Sequence, residues 1–147
     1  MVNSKAISYR PMQASDYESC YKLWIKTPGM KIEAADSRES IAAYLHKNQN
    51  LSLVAMSDNQ VIGTVLCGED GRRGYLQHLC VEPDYRRKSV ASELVTRAVM
   101  AFKERDLYEV RLFIFTDNDL GNNFWGYHNW VIRDDIYVRT FQLSGKD

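Results

Sequence analysis

The sequence has no net charge: 19 Lys and Arg stand against 19 Asp and Glu. A general nucleic-acid binder carries a marked basic excess, so that class is set aside. Cysteine is scarce. Cys20, Cys67 and Cys80 are odd in number and none falls in a CxxC spacing, so reduced thiols are expected. Cys20 and Cys67 read as core residues. No run approaches the ~18 apolar residues a membrane helix needs. The stretch "MVNSKAISYRPM" lacks the apolar segment of a secretory signal. The expectation is a soluble cytoplasmic protein with no membrane partner. His46, His78 and His128 are scattered without metal-ligand spacing, so no metal is expected. Neither GxGxxG nor GxxxxGK[ST] occurs, which removes the two commonest glycine-rich phosphate loops. Repeats, low-complexity tracts and linkers are also missing.

What is present is a core. Hydrophobic residues make up 45% and charged residues 26% of the 147, as in an ordered globular chain. The length suggests a single domain over 1–147. "AISYRPM" reads as a first strand and "SDYESCYKLW" as a helix, with Ser15 and Glu18 spaced as a capping box. Tyr17, Cys20, Tyr21 and Trp24 share one helical face. Pro28-Gly29 breaks the pattern. A second helix starts at "DSRESIAAYLHKN", with Asp36 as N-cap and Ile41, Tyr44 and Leu45 inward.

The period then changes to two. "LSLVAMS" and "QVIGTVLCG" form a hairpin about Asp58-Asn59, and "YLQHLCV" follows after the turn "EDGRRG". "SVASELVTRAVMAFKERD" is a long amphipathic helix with Val90, Leu94, Val95, Ala98 and Phe102 on one side. "YEVRLFIF" is a strand, "DNDLGNNFWGYHN" a short helix, and "WVIRDDIYVRTFQL" a closing strand, break and strand. The order β-α-α-β-β-β-α-β-α-β is an α+β pattern.

One local rule is broken. In "VEPDYRRKSVASEL", Arg86, Arg87 and Lys88 sit where a helix begins. A helix N-terminus is the positive end of the dipole and exposes unpaired N–H groups, so cations there repel it. A bound polyanion removes the conflict, with backbone N–H groups and basic side chains holding phosphate oxygens. The bland alternative is a solvated charge run.

The same stretch resembles the acetyl-CoA signature of the GNAT family of N-acetyltransferases, a strand ending Val-x-Pro followed by Arg-x-x-Gly-x-Gly/Ala. Val81, Pro83, Arg86 and Ala91 match, and Ser89 replaces the first Gly. "NDLGNNFWGYHNW" resembles the second signature, Asn-x-x-Ala-x-x-Phe-Tyr-x-x-x-Gly-Phe. Asn118 and Phe124 match; Gly121, Trp125, Asn129 and Trp130 stand for Ala, Tyr, Gly and Phe.

The resemblance implies a mixed, mostly antiparallel sheet flanked by helices, with splayed strands forming an acetyl-CoA cleft. It also implies acetyl transfer from acetyl-CoA to a primary amine by direct attack. The pantetheine arm would pair with the backbone of Leu79, Cys80 and Val81. The pyrophosphate would rest on the N–H groups of Arg86, Arg87, Lys88, Ser89, Val90 and Ala91. Asn118, Phe124 and Trp125 would contact the cofactor from the second signature. The family's usual acid, a Tyr, is replaced by Trp125. Tyr127 is a candidate replacement, with an exposed or partly packed aromatic as the plainer reading. Tyr75, Gln77 and Leu79 share one strand face, and neither Tyr75 nor Gln77 is a useful base. His78, on the other face, has suitable chemistry, but a lone strand histidine is more often a packed, hydrogen-bonded core residue. The loop "TPGMKIEAADS" would meet the amine, with Glu33, Asp36 and Glu39 attracting it and Met30 and Ile32 as an apolar wall. The resemblance also allows a homodimer through the C-terminal strands. Because Ser89, Trp125 and Asn129 are off-pattern, an acyl-CoA-binding sensor or interaction domain without strong catalysis stays open.

Overall fold

The computed structural model describes residues 6–143. The chain forms two compact units, Met1–Leu112 and Phe113–Asp147.

The first unit is built on a five-stranded sheet in the order β1-β2-β3-β4-β5. Its strands are β1 (Ser8–Pro11), β2 (Leu53–Ser57), β3 (Gln60–Glu69), β4 (Gly74–Val81) and β5 (Val110–Arg111). The first three pairings are antiparallel and β4–β5 is parallel. The helices are α1 (Tyr17–Ile25), α2 (Arg38–Lys47) and α3 (Val90–Glu104). β4–α3–β5 is the crossover that parallel pairing requires.

Period-two side-chain alternation sorts the helices to the two faces. Val54 joins the core with Cys20, Leu23 and Trp24 of α1 and Ile41 of α2. Its neighbour Ala55 and Gly63 look the other way, where a Cβ on Gly63 would stand 3.3 Å from Leu94 of α3. β3 is covered from both sides, so Ile62 through Gly68 are all buried. The expected α3 stripe of Val90, Leu94, Val95, Ala98 and Phe102 is buried without exception. Gly74 opens β4 where Phe102 crosses it: a Cβ there would lie 2.7 Å from the ring.

The β2–β3 turn has both Asp58 and Asn59 at positive φ, 54° and 63°, the twist a two-residue hairpin favours. The helix starts differ from expectation. The reciprocal cap before α1 joins Gln13 and Asp16, not Ser15 and Glu18: the Gln13 N–H donates to Asp16 Oδ2 at 2.8 Å. Asp16 also takes a two-pronged bond from Arg10 at 2.8 Å on each oxygen. α2 is capped by Ser37, whose Oγ accepts from the Ser40 N–H at 3.1 Å. Asp36 instead closes the preceding 3-10 turn, accepting from the Glu33 N–H at 3.0 Å.

The second unit holds α4 (Asp119–Tyr127). The expected strands after it, over 130–143, are not formed among the described residues. Alternating apolar residues supply strand chemistry, but a strand exists only as half of a hydrogen-bonded ladder. Val131, Tyr137, Val138 and Phe141 are left exposed. Among the described residues, no helix is long and apolar enough to cross a membrane.

Candidate active site

β5 pairs with β4 only at Gly74–Val110 and Tyr75–Arg111. From Leu76 to Val81 that edge of β4 has no ladder partner among the described residues. Leu79, Cys80 and Val81 lie in this open stretch. On the side away from β3, this stretch offers main-chain groups to an extended ligand arm, as to an added strand.

β4 is also irregular there. Its register against β3 shifts by one residue between Thr64, opposite Cys80, and Leu66, opposite Gln77. The extra residue marks a β-bulge, and His78 sits at it with φ 52°. A buried relay pins the bulge. The Trp24 indole N–H donates to Thr64 Oγ1 at 2.9 Å, and the Thr64 hydroxyl donates to the His78 carbonyl at 2.8 Å. Thr64 is 0% exposed. Nothing in "LQHLC" signals this bulge, because no glycine marks it.

The bulge aims the His78 side chain at the loop between α1 and α2. His78 Nε2 lies 2.8 Å from Asp36 Oδ1, and the side chains are 15% and 10% exposed. The Trp24 ring packs 4.8 Å from the imidazole, centre to centre. Burial pushes the Asp36 carboxyl up; hydrogen bonds from His78 and the Glu33 N–H outweigh it and hold the carboxyl below its ordinary value. The pair was not foreseen, since Asp36 read as a helix cap and His78 as a lone strand residue. Met30 and Ile32 pack partly buried against the core.

β4 runs into a short 3-10 turn, Pro83–Tyr85, and then the basic run. Arg87 and Ser89 both have left-handed backbone, φ 64° and 60°. Ser89 is the residue before α3 and makes no side-chain cap bond. The signature's Gly at this position therefore has a backbone reason as well as a steric one, because only Gly adopts positive φ freely. Arg86, Arg87, Lys88 and Ser89 are exposed, whereas Val90 is buried and Ala91 half-buried. Arg86 Nε donates to the Val81 carbonyl at 3.3 Å, folding this side chain back to the end of β4. Lys88 lies over the Tyr85 ring at 5.4 Å. Beside Arg86 is a cavity of about 350 Å³ lined by Lys26, Thr27, Pro28, Glu82, Pro83 and Asp84. Lys26 and Glu82 form an ion pair across it.

These features match what a phosphate-bearing cofactor with a long amide arm needs: an open strand edge, then a basic helix start with twisted backbone. The family model for the acetyltransferase (GNAT) family matches residues 17–127. The chain belongs to the GNAT family. It is an acetyl-CoA-dependent acetyltransferase, and its fold is the α+β arrangement of that family. An acetyltransferase of Sodalis glossinidius is 30% identical over 129 residues, covering 88% of this chain and 90% of that protein. Ard1 from Thermoplasma volcanium superposes with a TM-score of 0.78 at 21% identity, covering 87% of this chain and 84% of that one. The PaiA N-acetyltransferase of Thermoplasma acidophilum, in complex with coenzyme A, gives a TM-score of 0.74 at 22% identity, covering 84% and 88%.

In the second unit, Asn118 is the N-cap of α4, and its Oδ1 accepts from the Gly121 N–H at 3.0 Å. That leaves Nδ2 as the group with which Asn118 could reach a ligand. A Cβ on Gly121 would stand 2.7 Å from Ile114 Cδ1 and 2.9 Å from Asn118 Nδ2. Phe124 and Trp125 are half-buried with rings 5.0 Å apart. Tyr127 is 83% exposed, which fits the plainer reading of that residue. The three cysteines are buried and free. Burial pushes the Cys20 thiol up to about 12 and the Cys80 thiol up to about 11, so the Cys80 side chain is inert while its backbone faces the open edge.

Proposed function

We propose that this chain is a cytoplasmic N-acetyltransferase whose acceptor is a primary amine, on a small molecule or a protein, that attacks acetyl-CoA directly. The observation that carries the reading is the continuity of β4 with the basic turn. The open edge from Leu76 to Val81 leads straight to the left-handed, cationic start of α3.

In this reading Leu79, Cys80 and Val81 pair with the pantetheine arm through their backbone. Arg86, Arg87, Lys88, Ser89, Val90 and Ala91 hold the pyrophosphate through main-chain N–H groups and guanidinium or ammonium groups. The second signature assigns Asn118, Phe124 and Trp125 to the cofactor as well. The family match takes in parts of both compact units, which supports treating residues 1–147 as one functional domain. The amine's lone pair attacks the thioester carbonyl, and backbone N–H groups of the bulged strand stabilise the oxygen's developing charge. The C–N bond forms, the C–S bond breaks, and the nitrogen gives up its extra proton to solvent or to the departing thiolate, which needs no acid to leave because a thiol's ordinary pKa is about 8.5. Tyr127 has no part in this scheme.

The zero net charge supports the absence of a nucleic-acid partner. Exposed Val131, Tyr137, Val138 and Phe141 support a homodimer through the C-terminal segment.

Thiol release from acetyl-CoA tests the function, with spermidine, kanamycin and a short peptide bearing a free N-terminus as acceptors. The chain's own thiols stay buried and silent in such an assay. Release that depends on an amine is the expected result. Tight acetyl-CoA binding with no release by any acceptor would identify a sensor instead.

A further inference from the structure

Asp36 and His78 are 42 residues apart in the chain. Each is held from several sides. The Asp36 main-chain carbonyl accepts from the Tyr17 hydroxyl at 2.6 Å, and its Oδ2 accepts from the Glu33 N–H. His78 is fixed by Thr64 through its carbonyl and by Trp24 through its ring. Burying a carboxylate against an imidazole at a bulge is a costly way to make a loop contact.

The hydrogen bond has a direction. Asp36 stays ionised and can only accept, so the shared proton sits on His78 Nε2. In the neutral ring the other nitrogen, Nδ1, then carries the lone pair. It has no hydrogen-bond partner among the described residues. The sealed side-chain polar atoms without a partner there are Tyr44 Oη and Ser57 Oγ; Nδ1 is not among them, and the His78 side chain is 15% exposed. The ring meets the Asp36 carboxylate from the loop and the neutral Trp24 indole of α1, while Tyr17 and Thr64 bond the main-chain carbonyls of the pair.

The position is also specific. His78 directly precedes Leu79–Val81, and Asp36 ends the loop that follows α1. The pair thus joins the strand read as holding the thioester arm to the loop read as meeting the acceptor.

We infer that His78 Nδ1 takes the proton from the acceptor amine and that Asp36 is its positioning residue, an assignment that rests on the acetyl-transfer reading above. An ammonium ion must lose one proton to expose a lone pair. That proton passes to Nδ1, directly or through one water. The nitrogen lone pair then forms the bond to the acetyl carbon, and the carbon–sulfur electron pair leaves with the thiolate. The nitrogen, now bonded to the acetyl carbon, gives up its second proton to the departing thiolate, and His78 returns the first proton to solvent. Asp36 fixes the ring's tautomer and carries the compensating negative charge, as a carboxylate does for a histidine base elsewhere.

The test is steady-state kinetics by thiol release, using whichever of spermidine, kanamycin and the free peptide the wild type acetylates fastest. His78→Gln should lower kcat by about 100-fold or more and leave KM for acetyl-CoA unchanged. Asp36→Asn should lower kcat about tenfold, with Asp36→Glu recovering part of the loss. His78→Ala should regain activity when free imidazole is added, which a merely structural histidine would not do. Retained acetyl-CoA binding by calorimetry identifies folded variants, and Asp36→Asn decides the matter if the His78 variants do not fold. A kcat within threefold of wild type in a folded His78→Gln or Asp36→Asn protein overturns the assignment while leaving acetyl transfer intact. Failure of the wild type to acetylate any of the three amines overturns both.

Discussion

The indole N–H of Trp24 and the hydroxyl of Thr64 meet at 2.9 Å in the core between α1 and the sheet. Both side chains are 0% exposed. Through Thr64 the contact reaches the His78 carbonyl, so the shape of the β4 bulge depends on one buried hydroxyl.

Thr64→Val keeps the shape and removes that hydroxyl. It leaves a buried indole N–H and the His78 carbonyl without partners, at a cost of about 1–3 kcal/mol. Thr64→Ser should restore most of it. Urea unfolding measures both; a Val variant as stable as wild type would show that the relay does not hold the bulge.

Ser89 stands in left-handed backbone with φ 60°. For a residue with a Cβ that conformation costs roughly 1–2 kcal/mol, and Gly gives back part of the gain in the unfolded chain. Ser89→Gly should therefore stabilise the protein by roughly 0.5–1 kcal/mol. Acetyl-CoA affinity should stay within about tenfold, ~1.4 kcal/mol. Thermal melting and calorimetry check the two parts. A less stable Gly variant contradicts the strain, and a large gain in affinity would mean that Ser89 obstructs the site.

Much of the fold is legible in the residues. The α3 stripe ending at Phe102 repeats at helical spacing, and Asp58-Asn59 names its own turn; both are found as read. Caps are harder. Gln13, Ser15, Asp16, Glu33, Asp36 and Ser37 all carry cap-competent side chains, and the backbone angle at each decides which one acts. The reading of Asp36 as a helix cap hid its bond to His78, because that bond crosses from a loop to a strand far along the chain. The bulge had no signal at all, since its left-handed residue is a histidine. The C-terminal segment shows the reverse case: residues 130–143 have the alternation of strands, but a pattern cannot supply a ladder partner.

Asp16 should make stability depend on pH. Burial raises its carboxyl, but bonds from Arg10 and the Gln13 N–H prevail and hold it below its ordinary value. A carboxyl depressed in the folded state contributes fully above its unfolded pKa, about 4, and loses that contribution as pH falls through the folded value. Asp16→Asn should be less stable than wild type at pH 7. The gap should start to close below about pH 4 and vanish in stronger acid. Unfolding curves across that range decide it; a gap independent of pH would mean that the Arg10–Asp16 charge pairing contributes nothing.

Titration calorimetry of acetyl-CoA into the wild type and Arg86→Ala proteins bears most directly on where the cofactor is held. Arg86 reaches back to Val81 and joins the open strand to the basic helix start. If its guanidinium completes the phosphate site, the variant loses a charge-assisted hydrogen bond of roughly 1.5–3 kcal/mol, about 10- to 150-fold in affinity. Added salt should weaken the wild type more than the variant. Equal affinities with equal salt dependence would contradict this placement and return the basic run to an ordinary solvated surface.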